Sequence, residues 1–347
     1  MQRKLLLGST ALVSAGLLMS GGAQAQEEMR VGGIEVVLGG YTEFGAKAAS
    51  DDTLRNSGST KTYLFYMDNE VFIDANAATE SGILYGSRIE LEVGSGEGNT
   101  EDATIDEVQL YFSGNFGRVE LGRGDGAEDV MAIGGQDAQA GTGGIDGDTS
   151  NLDQPELPDT GDDAKVTYFT PRIAGFQLGA SFVPQTGDGF STNQANEFDE
   201  TVGAGVNWVG ALGPADLTVS GVGILGQATN SGQDDLLSYA VGALFGFGGL
   251  SAGGQWGQNT DFNEANFANA GIKYGFGAAN VSLGWNVFDP DEGDTNNVFV
   301  ASADVGLLPG VTLKGDVSYA TDDPNAHADE DDPDDTIAGV LSVQLDY

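Results

Sequence analysis

Carboxylates dominate the residues that could do chemistry. The chain carries 53 Asp and Glu against 13 Lys and Arg, one His and no Cys. Paired acids such as Glu90 with Glu92, or Glu97 with Glu101, are spaced for general acid–base work. They lack partners, because covalent catalysis needs a nucleophile, a base and an orienting group in mutual reach. The single imidazole, His327, sits in residues 321–335, where eight Asp or Glu crowd a loop-like stretch. That stretch reads as a solvated acidic loop rather than a metal centre. Gly221 to Gly226 spell G-x-G-x-x-G, but a polar stretch follows where a dinucleotide fold needs a helix. Residues 146–157 begin like a calcium loop. Ser150 and Asn151 then occupy its fifth and sixth positions, and Leu157 the twelfth, so the EF-hand pattern fails. The remaining chemistry is that of charge, and it concentrates in one place. Residues 123–163 hold nine Gly, eleven Asp or Glu and a single base, Arg123. A connection this long inside a compact domain is functional or disordered.

Composition narrows the class of protein. A net charge of −40 opposes nucleic-acid binding and favours a surface that gathers cations. The absence of Cys rules out disulfide staples and thiolate chemistry. The start, MQRK followed by LLLGSTALVSAGLLMS and an Ala23-Gln24-Ala25 site, reads as a secretory signal peptide over 1–25. Its loss removes Arg3 and Lys4 and makes the rest more acidic still. No later run reaches the roughly 18 apolar residues of a membrane helix. One texture of short alternating segments and Gly-rich joints continues to the end, so residues 26–347 read as one all-β domain.

Period-two alternation predicts sixteen strands, at 33–48, 62–78, 83–94, 103–114, 118–122, 164–171, 176–184, 200–209, 215–226, 236–247, 250–259, 267–276, 279–289, 296–306, 311–321 and 336–347. No helix is expected after the leader. Connections alternate strictly, seven short and turn-like, eight long and acidic. That alternation is what an antiparallel up-and-down sheet with one tight end and one looped end requires. One face carries charges that no core could bury: Glu43 and Lys47, Asp68, Glu70 and Asp74, Arg88, Glu90 and Glu92, Glu107, Arg118 and Glu120, Lys165, Lys273, Lys314 and Asp316. That face must be wet. A sixteen-stranded barrel has room for water inside, which turns the apolar face toward lipid. Tyr41, Trp208, Tyr239, Phe247, Trp256, Tyr274, Phe276, Trp285, Phe299, Tyr319 and Tyr347 suit interfacial girdles on that outer face.

These features together resemble the general diffusion porins of Gram-negative bacteria, in particular the alphaproteobacterial type. The most specific piece is FGRVELGRGDGAEDV at 116–130, a tight turn, a short fifth strand and the start of a long third loop. ATESGILYGSRIELEVG at 78–94 is a second, and the final SVQLDY resembles the family's terminal strand, with Tyr347 where Phe is usual. The resemblance implies a homotrimer of transmembrane sixteen-stranded β-barrels in the outer membrane, among lipid and lipopolysaccharide. It implies passive passage of ions and small hydrophilic solutes, with no enzymatic step. It also implies that the long third loop, 123–163, folds into the lumen and sets acids against a basic wall. The acids would be Asp125, Glu128, Asp129, Asp137, Asp146 and Asp148. The bases would be Lys47, Arg88, Arg118, Arg123, Lys165, Lys273 and Lys314. No cofactor is required, though the family's calcium binding makes Asp146, Asp148 and Asp153 candidate ligands. The acid surplus predicts cation preference. The alternatives are a sugar-selective channel, which wants a ladder of inward aromatics, a membrane-barrel enzyme, which wants a catalytic His, and a soluble secreted β-protein.

Overall fold

The computed structural model describes residues 29–31, 33–50, 62–92, 104–147, 157–186, 198–261, 264–291, 295–321 and 335–347. The leader at 1–25 and His327 therefore lie outside the described residues. The chain forms one antiparallel sheet. A short β1 (Met29–Val31) precedes sixteen barrel strands: β2 (Ile34–Ala49), β3 (Tyr63–Ala78), β4 (Leu84–Glu92), β5 (Thr104–Gly114), β6 (Gly117–Arg123), β7 (Ala164–Phe169), β8 (Phe176–Gln185), β9 (Phe198–Leu212), β10 (Ala215–Ala228), β11 (Leu236–Phe247), β12 (Leu250–Asn259), β13 (Ala265–Phe276), β14 (Ala279–Pro290), β15 (Asn296–Leu308), β16 (Val311–Thr321) and β17 (Thr336–Asp346). Each strand pairs with the next, and β17 returns to β2 in a register running from Ala338↔Ala49 to Asp346↔Tyr41. Reciprocal backbone bonds of 3.0 Å between Gly40 and Tyr347 finish the seam. Closure pairs each of the sixteen barrel strands on both sides, as a membrane demands.

All sixteen segments expected from period two are strands. The largest boundary change is in β9, which extends the expected 200–209 at both ends. β1 had no alternation to announce it. It exists because it folds back on β2, pairing Met29 with Val36. A helical turn also appears unexpectedly at Ala127–Val130, with 3-10 turns at Gln136–Ala138 and Gly144–Asp146.

The burial is inverted relative to a water-soluble domain. Phe65 is 70 % exposed, Leu283 62 % and Leu341 60 %, whereas Glu43 is 2 % and Glu90 1 % exposed. Keeping large apolar side chains in water would forgo about 1.5–3 kcal/mol each. A closed barrel with apolar residues outside and polar ones inside is the lipid-spanning solution. Most aromatics expected in the girdles do face outward, Trp256, Phe299 and Tyr347 among them. Tyr41 does not. It shares its face with buried Glu43, and its phenol donates to Asp68 at 2.8 Å. Tyr41 stands two residues before Glu43 in one continuous strand, so alternation places both on the inner face.

The inner face is not polar throughout. Val222, Ile224, Leu236, Ala240 and Phe267 are buried on it, and so are Val298, Val300 and Ala320. These patches receive the long connection between β6 and β7.

Candidate functional site

That connection starts at Arg123 and lies along the polar side of the strands. Ala127 opens its helical turn, with its amide donating to Ser181 Oγ at 2.6 Å. Ala127, Met131, Ala132 and Leu157 then pack on the apolar patch with Phe169, Val222, Ile224 and Phe267. Further on, the backbone rides on strand glycines. A Cβ at Gly242 would collide with the carbonyl oxygen of Ile133, one at Gly253 with that of Gly134, and one at Gly271 with that of Gly135. The next amides bond to inward side chains. Gly135 donates to Asn269 Oδ1 at 2.7 Å, Ala140 to Ser282 Oγ at 2.9 Å, Gly141 to Asp304 at 3.2 Å and Thr142 to Asp316 at 2.9 Å. Ile145 ends this course against Val298 and Val300. The loop is thus held from β8 round to β16.

Its two roots are stapled together. Arg123 Nε donates to the Asp162 carbonyl at 2.7 Å. Lys165, buried on β7, donates from Nζ to the carbonyls of Gly124 and Gly161. Glu128, fully buried, accepts from the amide of Thr160 at 3.0 Å and from its hydroxyl at 2.7 Å. Glu128 and Lys165, read from the sequence as opposing constriction charges, both tie the two ends of the loop together. Spacing could not distinguish these roles, because both depend on which carbonyls and hydroxyls return at 160–161.

The other bases fall into three groups and one lone lysine. Arg88 pairs with Glu90 at 2.8 Å and reaches Asp74 at 3.8 Å, and its guanidinium lies 4.5 Å over the Phe72 ring. Arg118 pairs with Glu120 and lies 4.2 Å over Tyr111. Lys314 pairs with Glu43 at 3.0 Å, which also accepts from Tyr66 at 2.9 Å, and Lys47 lies 4.7 Å over the Tyr66 ring. Lys273 is half-buried on the inner face of β13 near its tight turn, and no ion pair joins it to another described residue. Of the loop acids, Asp125 and Asp129 stay partly exposed, and Asp137 accepts from the amide of Gly134 at 2.7 Å. Asp146 lies in the second 3-10 turn. Asp148 and Asp153 lie outside the described residues, as does the side chain of Asp146.

A second group of acids, unnoticed in the sequence as a set, forms at the root. Ile89 pairs with Val108 but Leu91 with Ile105, so β5 bulges at Asp106–Glu107 beside Glu90. Bulges re-aim side chains. Here Glu107, 6 % exposed, is turned toward Asp125 and Asp162, and carboxylate oxygens of the three lie within 4.8 Å of one another. Burial first, then Asp129 and Glu107, push the Asp125 carboxyl up to about 8. Burial and Asp106 raise Asp162 to about 6, with Lys165 and Arg123 pulling the other way. A hard divalent cation takes six to eight oxygens. The neighbouring carbonyls of Gly124, Gly161 and Asp162 are already engaged by Lys165 and Arg123, whose own charges oppose a further cation. The signal that could have revealed the group was the return of Asp159, Asp162 and Asp163 opposite Asp125, Glu128 and Asp129.

A family model for Gram-negative porins matches residues 8–325. Among curated proteins, comparison of the sequence finds no match. Among solved structures, one engineered porin of Rhodopseudomonas blastica superposes with a TM-score of 0.67 at 18 % identity, and a triple mutant of the same porin with 0.65 at 17 %. In both pairs 90 % of this chain and 100 % of the other are covered, which is agreement of fold. With a closed sixteen-stranded barrel turned apolar side out, the chain belongs to the Gram-negative porin family and forms an outer-membrane channel for passive diffusion.

Proposed function

We propose that the channel prefers cations and is narrowed by the connection between β6 and β7. One observation carries this reading. The wall bases that a porin would set against an acidic loop are here neutralised by acids of their own wall, Arg88 by Asp74 and Glu90, Arg118 by Glu120, Lys314 by Glu43. The wall still holds Asp68 and Glu70, and the loop adds Asp125 and Asp129. Carboxylates around a narrow aqueous path raise local cation concentration and reject anions. A sugar ladder gains little support, since Tyr66, Phe72 and Tyr111 each lie under a base. The same reading includes a homotrimer, lipopolysaccharide around the acidic loops, calcium at Asp146, Asp148 and Asp153, and no covalent step.

The test is single-channel recording of the detergent-purified protein in a planar bilayer under a KCl gradient. Large steps in threes with a reversal potential on the cation side are expected. A reversal potential on the anion side would overturn the cation preference and return control to Arg88, Arg118 and Lys273.

A further inference from the structure

We propose that the pore is bipolar along its axis and rectifies, with Arg172 and Lys273 as anion-attracting charges at the tight-turn mouth and carboxylates dominating the long-loop mouth. The proposal goes beyond cation preference, because it concerns the direction of flow and gives a role to two bases that lack an acid partner.

The charges are sorted along the strands. From Phe198 to Tyr347 the sequence has two bases, Lys273 and Lys314. Both stand in the tight-turn half of their strands, β13 and β16. The opposite ends of β9 to β17 carry Asp199, Glu200, Asp234, Asp261, Glu264 and Asp291, and no base. The earlier strands add Arg118 at the tight-turn start of β6 and Arg172 in the turn from β7 to β8. On the long-loop side of those strands Arg123 and Lys165 are bound to loop carbonyls, and Lys47 lies over the Tyr66 ring.

Of the tight-turn bases, Arg118 and Lys314 have acid partners. Arg172 donates instead to the Gly175 carbonyl at 2.7 Å, Asn207 Oδ1 at 2.8 Å and Gln177 Oε1 at 2.7 Å, all neutral oxygens. Gln177 and Asn207 pair across β8 and β9 on the polar face, so the guanidinium is held at the inner rim. Lys273 has Ser251 and Ser282 beside it in register, and no ion pair or side-chain hydrogen bond joins it to another described residue. In its row of the sheet the acids on either side, Asp216 and Asp316, are each three strands away, about 14 Å. Asp304, two strands away, faces Lys314 in register and accepts from Asn280 at 2.7 Å. The row distances exceed the Debye length of about 8 Å at physiological ionic strength, so the charge of Lys273 stands.

The loop separates the two zones. Gly271, the preceding inward residue of β13, carries the Gly135 carbonyl, so Lys273 stands directly past the loop on the tight-turn side. Glu264, at the other end of the same strand, is about 30 Å away along it. Cations therefore gather at the long-loop mouth and anions at the tight-turn mouth. A field with its positive side at the long loops drives both populations toward the loop and fills the narrow part with carriers. The reverse field empties it.

The experiment records open-channel current at equal and opposite voltages in planar bilayers, first in dilute and then in concentrated KCl. Orientation is fixed by Asn230→Cys, an exposed long-loop position in a chain without other cysteines, which a bulky maleimide polymer modifies only from the long-loop side. In about 0.1 M KCl the current should be about twofold larger with the long-loop side positive. In about 1 M KCl, where the Debye length is about 3 Å, the two currents should become equal. Lys273→Gln should reduce the asymmetry and Lys273→Glu should remove it. Arg172→Gln should reduce it and Arg172→Lys, which keeps the charge, should not. Should Arg172→Gln fail to fold, the Lys273 pair decides, since that side chain bonds to nothing. Equal currents in dilute salt overturn the proposal, as does an asymmetry of opposite sign, one that survives concentrated salt or one unchanged in Lys273→Glu. The cation preference is tested separately by the reversal potential. A value on the anion side with the asymmetry present defeats that preference and keeps the bipolar pore.

Discussion

Lys165 shows how far a residue's role can depart from its charge. By alternation it is an inward base on a porin wall. In the fold it is buried, and its ammonium joins the carbonyls of Gly124 and Gly161, one from each end of the loop. Lys165→Met should leave those carbonyls unsatisfied and cost about 2–4 kcal/mol, lowering the unfolding temperature of the barrel in detergent. It should also make single-channel current noisier, because the loop root is freed. A quiet trace of unchanged stability would return Lys165 to the role of a pore charge. Glu128 was similarly legible as an acid of the loop but not as the acceptor for Thr160. Arg88 and Arg118 were legible as wall bases because period two fixes their face. Their neutralisation by Glu90 and Glu120 was also in reach, since residues two apart share a face of a strand.

Between β6 and β7 a connection with only short helical turns is fixed to the wall at many points along its described residues. Its fixings are amide bonds to Asn269, Ser282, Asp304 and Asp316, two apolar patches, and three glycines that admit its backbone. At Gly271 a side chain would meet the Gly135 carbonyl directly. Gly271→Val should push the loop off the wall at a cost of about 1–3 kcal/mol. Single-channel conductance should change, while the barrel keeps its heat-modifiable mobility on a gel. An unchanged conductance would show that this stretch does not narrow the path. The strands were legible because period two is local, and boundaries held to within a few residues. The loop's course was not, because its anchors lie more than a hundred residues away and its own sequence has no period. The bulge at Asp106–Glu107 was equally hidden, since it arises from pairing with β4.

Taken whole, the barrel is defined by its solvent. Leu341 lies mid-strand on the outer face of β17, beside the seam with β2. In water an exposed leucine tolerates arginine. In a bilayer the same change should cost about 2–4 kcal/mol near the midplane. Leu341→Arg should therefore reduce folded yield in lipid vesicles measured by gel mobility. Equal folding of the two forms would contradict a lipid-facing β17.

The sequence by itself determined the sixteen barrel strands, their order, the two faces and the alternation of tight and long connections. Each is a local pattern, and the charge of residues such as Glu43, Glu90 and Asp316 leaves only one side for water. The tertiary structure alone decided which of those charges meet. Closure brings β17 to β2, carries the loop to Asp304 and Asp316, and gathers Glu107, Asp125 and Asp162 from three separate stretches. Those meetings are set by the curvature and register of a closed sheet, quantities that belong to all the strands together and to no single one of them.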